Sequence, residues 1–191
     1  MTKFKFDIIL YGGPGSGKGT QAGLLLKQLK AVTLNMGAEL RKTAKMKTSI
    51  GREVAKYIDA GKIAPLKVSH KIVRNFFKKV PATQRIVFDG YPRTMAQVKL
   101  LDTLLKKHNR EVLFIYLKLP MSVAKARLKK RAEIEGRHDD TDPAAIQNRI
   151  DVFNRQSKNI IRHYKNNQQL IVIDGVGSVA AVHKRIMRAI S

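Results

Sequence analysis

Residues 12–20 read GGPGSGKGT and follow directly on the apolar run DIILY at 7–11. A glycine-rich turn folds tightly and points its backbone N–H groups inward, where they bind phosphate oxygens. A helix starting near Lys18 adds the positive end of its dipole, and Lys18 itself adds a mobile charge for the outer phosphates. Strand, loop, lysine and helix occur in order, so the segment reads as a nucleoside triphosphate site rather than an ordinary glycine turn. One slot departs from the common G-x-x-x-x-G-K-[ST] pattern: Gly19 follows the lysine, and the hydroxyl comes one place later at Thr20.

The stretch DGYPRTMAQ (89–97) narrows the chemistry. Asp89 at a strand end is a candidate partner for magnesium or a magnesium-bound water opposite the loop. Gly90 and Pro92 shape a turn that aims Arg93 at the same cleft, where a guanidinium binds phosphate through two parallel hydrogen bonds. Gln97 can pair with the donor and acceptor edges of a base. Taken alone, Arg93 is equally a surface charge and Gln97 a solvated helix residue. Further on, Arg127 and Arg131 are four apart and share a helix face, with Arg137 in EGRHDDTD and Arg149 on the next helix. Cations gathered near a triphosphate suit phosphoryl transfer, because the moving group carries its charge on equatorial oxygens. Asp139 and Asp140 read either as a metal pair or, preferably, as carboxylates that hold Arg131, Arg137 or Arg149 in place. The five histidines have no ligand spacing and define no metal site.

These groups need elements to position them. Apolar runs at 7–11, 31–34, 85–90, 111–119 and 170–173 read as strands. Helical segments are expected at 18–30, 38–60 with a break near Ser49, from Pro65, at 94–108, from Ser122 to about Ala132, 143–166 and 179–189. On them, Ile50, Val54, Tyr57 and Ile58 recur at helical spacing. Val68, Ile72, Val73 and Phe76 share one face, and Met95, Val98, Leu101, Leu104 and Leu105 point inward. A polar stretch at 133–142 interrupts the pattern. Continuous apolar strands separated by helices imply an α/β fold with a five-stranded parallel sheet and helices on both faces. Ligands of such sheets bind at the carboxyl ends of the strands, the edge where the glycine loop and Asp89 both fall.

The 191 residues, 43% of them hydrophobic, suffice for one domain with small insertions and exclude a disordered chain. No apolar run nears the ~20 residues of a membrane span, and the N-terminus lacks a cleavage site for secretion. The absence of cysteine excludes disulfides and thiolate metal sites and fits a cytoplasmic protein. Lys and Arg number 38 against 14 Asp and Glu, a net charge of +24. The lysines are spread along the whole chain, which reads as a cation-coated surface. The alternative is an RNA-associated ATP-binding protein, which requires tight and steeply salt-dependent RNA binding.

Taken together, GSGKGT (15–20), DGYPRTMAQ (89–97) and RLKKRAEIEGRHDDTD (127–142) resemble the motifs of the adenylate kinase family of nucleoside monophosphate kinases, over essentially the whole chain. The family's phosphate loop also reads lysine, glycine, threonine. The resemblance implies a P-loop NTPase fold with a core at 1–35, 64–130 and 143–191, a monophosphate-binding arm at 36–63 and a short lid at 131–142. It implies reversible, magnesium-dependent transfer from ATP to AMP giving two ADP, by a monomer with no obligate nucleic acid or membrane partner. For the donor it implies Gly13, Gly15, Ser16, Gly17, Lys18, Gly19 and Thr20 around the phosphates, Arg127 and Arg131 from the lid side, and Gly177 against the base. For the acceptor it implies Arg41 and Arg93 on the phosphate, with Lys62, Ile63, Ala64 and Gln97 around the base and Met36, Gly90, Tyr91 and Pro92 beside them. Arg137 and Arg149 would bridge the transferring group. Lys18, Arg93, Arg127, Arg137 and Arg149 would thus be catalytic, and Asp89 would hold magnesium through water. Two departures stand out. Met36 and Ala38 replace the family's threonine and aspartate, which points to a UMP/CMP or broad-acceptor kinase as the alternative. The short lid has no cysteines to hold the structural zinc of long-lid members.

Overall fold

The apolar runs form strands β1 (Phe6–Tyr11), β2 (Val32–Asn35), β3 (Ile86–Asp89), β4 (Glu111–Lys118) and β5 (Leu170–Asp174) in the computed structural model, which describes residues 6–135 and 142–191. They make one sheet in the order β2-β3-β1-β4-β5, with every pairing parallel. β1 is central, so the glycine loop leaves from the middle of the sheet. The helices are α1 (Lys18–Leu29), α2 (Met36–Ala44), α3 (Ser49–Asp59), α4 (Leu66–Lys79), α5 (Met95–Lys107), α6 (Met121–Glu135), α7 (Pro143–Asn166) and α8 (Val179–Ile190).

Strand side chains alternate between faces, and both faces here are covered. Ile9, Tyr11, Phe88 and Phe114 point to one side and pack with Val73 and Phe77 of α4, Val98 and Leu101 of α5, and Ile160 and Tyr164 of α7. Ile8, Leu10, Val87 and Ile115 point to the other and meet Leu25 of α1 and Val182, Ile186 and Ile190 of α8. Phe114 stacks on Tyr164 with ring centroids 4.2 Å apart. Truncating so deeply buried a ring to alanine costs about 3–5 kcal/mol. At the opposite edge from the glycine loop, Asp7 accepts from Arg110 at 3.0 Å and from the backbone N–H of Ile86 at 2.9 Å, which clamps β1 to the start of β3.

Several local expectations shift. α2 begins at Met36, not Ala38, because the Asn35 side chain caps it by accepting from the Ala38 N–H at 2.8 Å. The break in the arm falls at residues 45–48, where Thr48 caps α3 by accepting from the Gly51 N–H at 3.0 Å. Of the apolar stripe on α3, only Val54 is fully buried, while Ile50 and Tyr57 face out. α3 packs mainly on α2, and a two-helix arm is too thin to cover a whole stripe. On α4 the buried line runs through Val73 and Phe77, with Ile72 and Phe76 at its margin. α6 continues to Glu135, into the stretch read as a polar interruption. Residues 136–141 of the expected lid, with Arg137, Asp139 and Asp140, lie outside the described residues.

Candidate active site

The glycine loop wraps around the head of its own lysine. Lys18 Nζ donates to the carbonyls of Gly12 at 2.7 Å and Gly13 at 2.9 Å, and to Ser16 Oγ at 3.2 Å. Burial, reinforced by Arg93, Arg149 and Arg131 and opposed by Asp89, pushes the Lys18 ammonium down to about 7. Gly15 is a loop position that no other residue fits. Its φ is +77°, and a Cβ there would lie 2.5 Å from the Ala124 carbonyl of α6. That close approach brings α6, with Arg127 and Arg131, over the loop. Arg127 donates from Nη2 to the carbonyls of Gly175 at 3.0 Å and Gly177 at 3.2 Å, so it ties α6 to the turn after β5. Arg185 holds that turn from the other side, through the carbonyls of Asp174 at 2.9 Å and Val176 at 2.6 Å.

Asp89 closes β3 and is buried, and Asn35 lies beside it in the parallel ladder. Asn35 Nδ2 donates to Asp89 Oδ2 at 2.8 Å while its Oδ1 caps α2. One amide therefore joins the candidate magnesium carboxylate to the helix that carries Arg41. Gly19 faces the same carboxylate: a Cβ there would stand 3.6 Å from Oδ2, at ordinary contact distance. The Asp89 carboxylate and the Thr20 hydroxyl share one cleft. An all-oxygen set with one carboxylate suits a hard cation that keeps most of its waters, so the residues fit magnesium carried in by nucleotide phosphates. Among the described residues, no group of three or more His, Asp or Glu could hold a metal ion.

Two cavities meet at this edge. A cleft of about 650 Å³ is lined by residues 14–20 with Asp89, Arg127, Lys130 and Arg131. A smaller cavity of about 220 Å³ lies between the arm and the core, walled by Met36, Leu40, Ile58, Lys62, Ile63 and Ala64, with Ser69 and Gln97. Gly37, Arg41, Gly90, Arg93 and Arg149 line both, so the two cavities adjoin at a waist of arginines. A Cβ on Gly37 would sit 3.2 Å from Arg41 Nη1, so the missing side chain leaves the guanidinium its place. Arg93 is set from two sides: its N–H donates to Gln97 Oε1 at 2.6 Å and its Nε to the Gly90 carbonyl at 3.0 Å. Gln97 Nε2 donates to Ser69 Oγ at 3.3 Å, so this side chain orients the Arg93 turn besides lining the smaller cavity.

Four of the expected residues make contacts within the protein. The Tyr91 side chain is in the core, its hydroxyl donating to the Gln97 carbonyl at 3.2 Å. Pro92 lines a void of about 60 Å³ behind the loop, with Tyr11 and Phe153. Gly13 offers its carbonyl to Lys18, and Gly177 offers its own to Arg127. Asn35, Ser69 and Lys130 were not foreseen. Asn35 carried a readable signal, since an asparagine between a strand and an amphipathic run is a typical helix cap.

Comparisons with known proteins point to one family. A family model described as adenylate kinase matches residues 10–169. An adenylate kinase of Micrococcus luteus is 35% identical over 184 residues, covering 96% of this chain and 89% of the relative. One from Flavobacterium psychrophilum is 33% identical over 186 residues, covering 97% and 98%. One from Pseudarthrobacter chlorophenolicus is 37% identical over 185 residues, covering 96% and 95%.

Proposed function

The chain belongs to the adenylate kinase family, and from that premise we infer that it is a phosphotransferase that moves the terminal phosphoryl group of ATP to AMP, giving two ADP. The observation that carries this reading is the shared waist. A donor cleft and an acceptor cavity adjoin at Arg41, Arg93 and Arg149, which line both. Two anionic phosphates can face each other there only if cations stand between them.

In this reading residues 15–20 cradle the donor phosphates, with Arg127 and Arg131 above them. Arg41 and Arg93 grip the acceptor phosphate, and Met36, Lys62, Ile63, Ala64 and Gln97 surround its base. Arg149 spans the reacting groups. An oxygen of the acceptor phosphate forms the new bond to the γ-phosphorus as the bond to the departing ADP oxygen breaks. That oxygen is already anionic, so no general base is needed, and catalysis is positioning plus charge stabilisation. Lys18 exchanges its carbonyl contacts for phosphate oxygens, which restore its positive charge. Magnesium bound with ATP would neutralise charge between the outer phosphates, held through water by Asp89 beside Thr20. The arm at 36–63 closes over the acceptor and excludes water, which would otherwise hydrolyse ATP.

A coupled assay with ATP and magnesium against AMP, CMP, UMP and GMP tests this. AMP is expected to be the best acceptor. UMP or CMP outpacing it, or no transfer to any of the four, overturns the reading.

A further inference from the structure

The nucleotide site uses few of the cations behind the +24 charge. A separate groove of about 540 Å³ runs between α4 and α5 and shares no lining residue with either nucleotide cavity. Lys67, Lys71, Arg74 and Lys78 of α4 stand along it, and Lys107 of α5 and the residue after it, His108, stand opposite. Steps of four, three and four residues place the α4 cations on one ridge, about 16 Å long at 1.5 Å per residue. All four are exposed. Among the described residues no carboxylate lines the groove, and α4 contains no acidic residue. The acidic residue of α5, Asp102, is engaged with His163 of α7 at 2.9 Å. His70 Nε2 is buried in the groove wall with no hydrogen-bond partner among the described residues.

The shape narrows the ligand. Packed helices lie about 8–10 Å apart, so the groove between them admits one extended strand and not a duplex. Its one Phe, Phe77, is buried under the sheet and packs on the His108 ring at 5.2 Å, which leaves no exposed aromatic platform for bases. Recognition would therefore run through phosphates alone, without sequence preference. We propose that the α4–α5 groove is a docking site for the phosphodiester backbone of a single-stranded nucleic acid, separate from phosphoryl transfer.

Fluorescence anisotropy with a labelled mixed-sequence RNA oligonucleotide, in saturating ATP and AMP, tests it. Contacts to four phosphates give a slope of log affinity against log salt of about −3, so binding weakens about 50-fold from 50 to 200 mM salt. Changing Lys67, Lys71, Arg74 and Lys78 together to Gln is expected to remove that slope while phosphoryl transfer, which shows that the variant folds, stays at the parent rate. α7 offers the control, because Arg155, Lys158, Arg162 and Lys165 form an exposed ridge of equal charge. The same four changes there are expected to leave binding within twofold. Equal losses in both variants reduce the effect to general surface charge and overturn the proposal. So do unchanged binding in the groove variant, displacement of the RNA by ATP and AMP, or a duplex that binds as tightly as the single strand.

Discussion

Asn35→Ala removes two hydrogen bonds at once, and each has a separate magnitude. The cap on the Ala38 N–H is worth about 1 kcal/mol. The bond to Asp89 Oδ2 joins a buried carboxylate, and losing such a donor costs about 1.5–3 kcal/mol. The sum is roughly 3 kcal/mol, and a domain of this size melts about 2–4 °C lower per kcal/mol. Asn35→Ala should therefore melt about 6–12 °C below the parent in the absence of nucleotide. Asn35→Ser keeps a capping oxygen but has no amide to reach Asp89, so it should fall between the two. A double-mutant cycle with Asp89→Ala isolates the bond to the carboxylate, with an expected coupling of about 1.5–3 kcal/mol in urea unfolding. The KM for AMP should rise several-fold in Asn35→Ala, because α2 carries Arg41. Additivity of the two single changes within about 0.5 kcal/mol would show that Asn35 does not hold Asp89, and the link from carboxylate to arm would fall with it.

Other positions give sharper kinetic outcomes. Gly19→Ser places a hydroxyl next to Asp89 Oδ2, where magnesium-bound water is expected, so turnover should drop more than ATP affinity; equal losses in the two would sink that argument. Arg93→Ala and Arg149→Ala should each lower kcat at least a hundredfold, since removing a transition-state arginine typically costs ~10³–10⁵ in rate; near-normal turnover rejects their roles. With Lys18 at about 7 in the free protein, ATP binding at pH 8 should take up most of a proton, and much less at pH 6, where the ammonium is already charged. Calorimetry in buffers of different ionisation heat reads the uptake, and none at pH 8 refutes it. The same shift lies below the ordinary value of 10.5, so the unfolded chain binds the extra proton between these limits. The cost to stability is full below about pH 7 and gone above 10.5, so Lys18→Met should melt higher than the parent at pH 7 while losing transfer.

What could be read in advance follows from how local each cause is. The phosphate loop is contiguous: Gly12 to Thr20 must be neighbours in sequence to curl around one phosphate chain. The strands were equally legible, because a parallel sheet covered on both faces demands unbroken apolar runs such as VLFIYL. The bond of Asn35 to Asp89 was not, because that partner lies 54 residues away and is reached only through the pairing of β2 with β3. The same holds for Gln97. Its type suggested a base, but the bond of its Oε1 to the Arg93 N–H depends on how the Gly90–Thr94 turn folds back on α5. The apolar spacing on α4 suggested Phe76 as inward, yet Phe77 is the buried ring, stacking on Phe88 with centroids 6.1 Å apart. The arginine waist needs α2, the turn after β3 and α7 to converge, and spacing along one chain segment does not encode that.

The root of the arm is built unlike its tip. Gly61 has a φ of +66° and lies so near the Ala145 backbone that a side chain would collide with it. Asn148 Nδ2 donates to the Ala60 carbonyl at 3.0 Å. The arm is thus riveted to α7 at its base. The rivet sits one residue before Arg149. A pivot at this root would pull on the helical turn of α7 that carries Arg149, so the tilt of the arm and the setting of one waist arginine would be geared together.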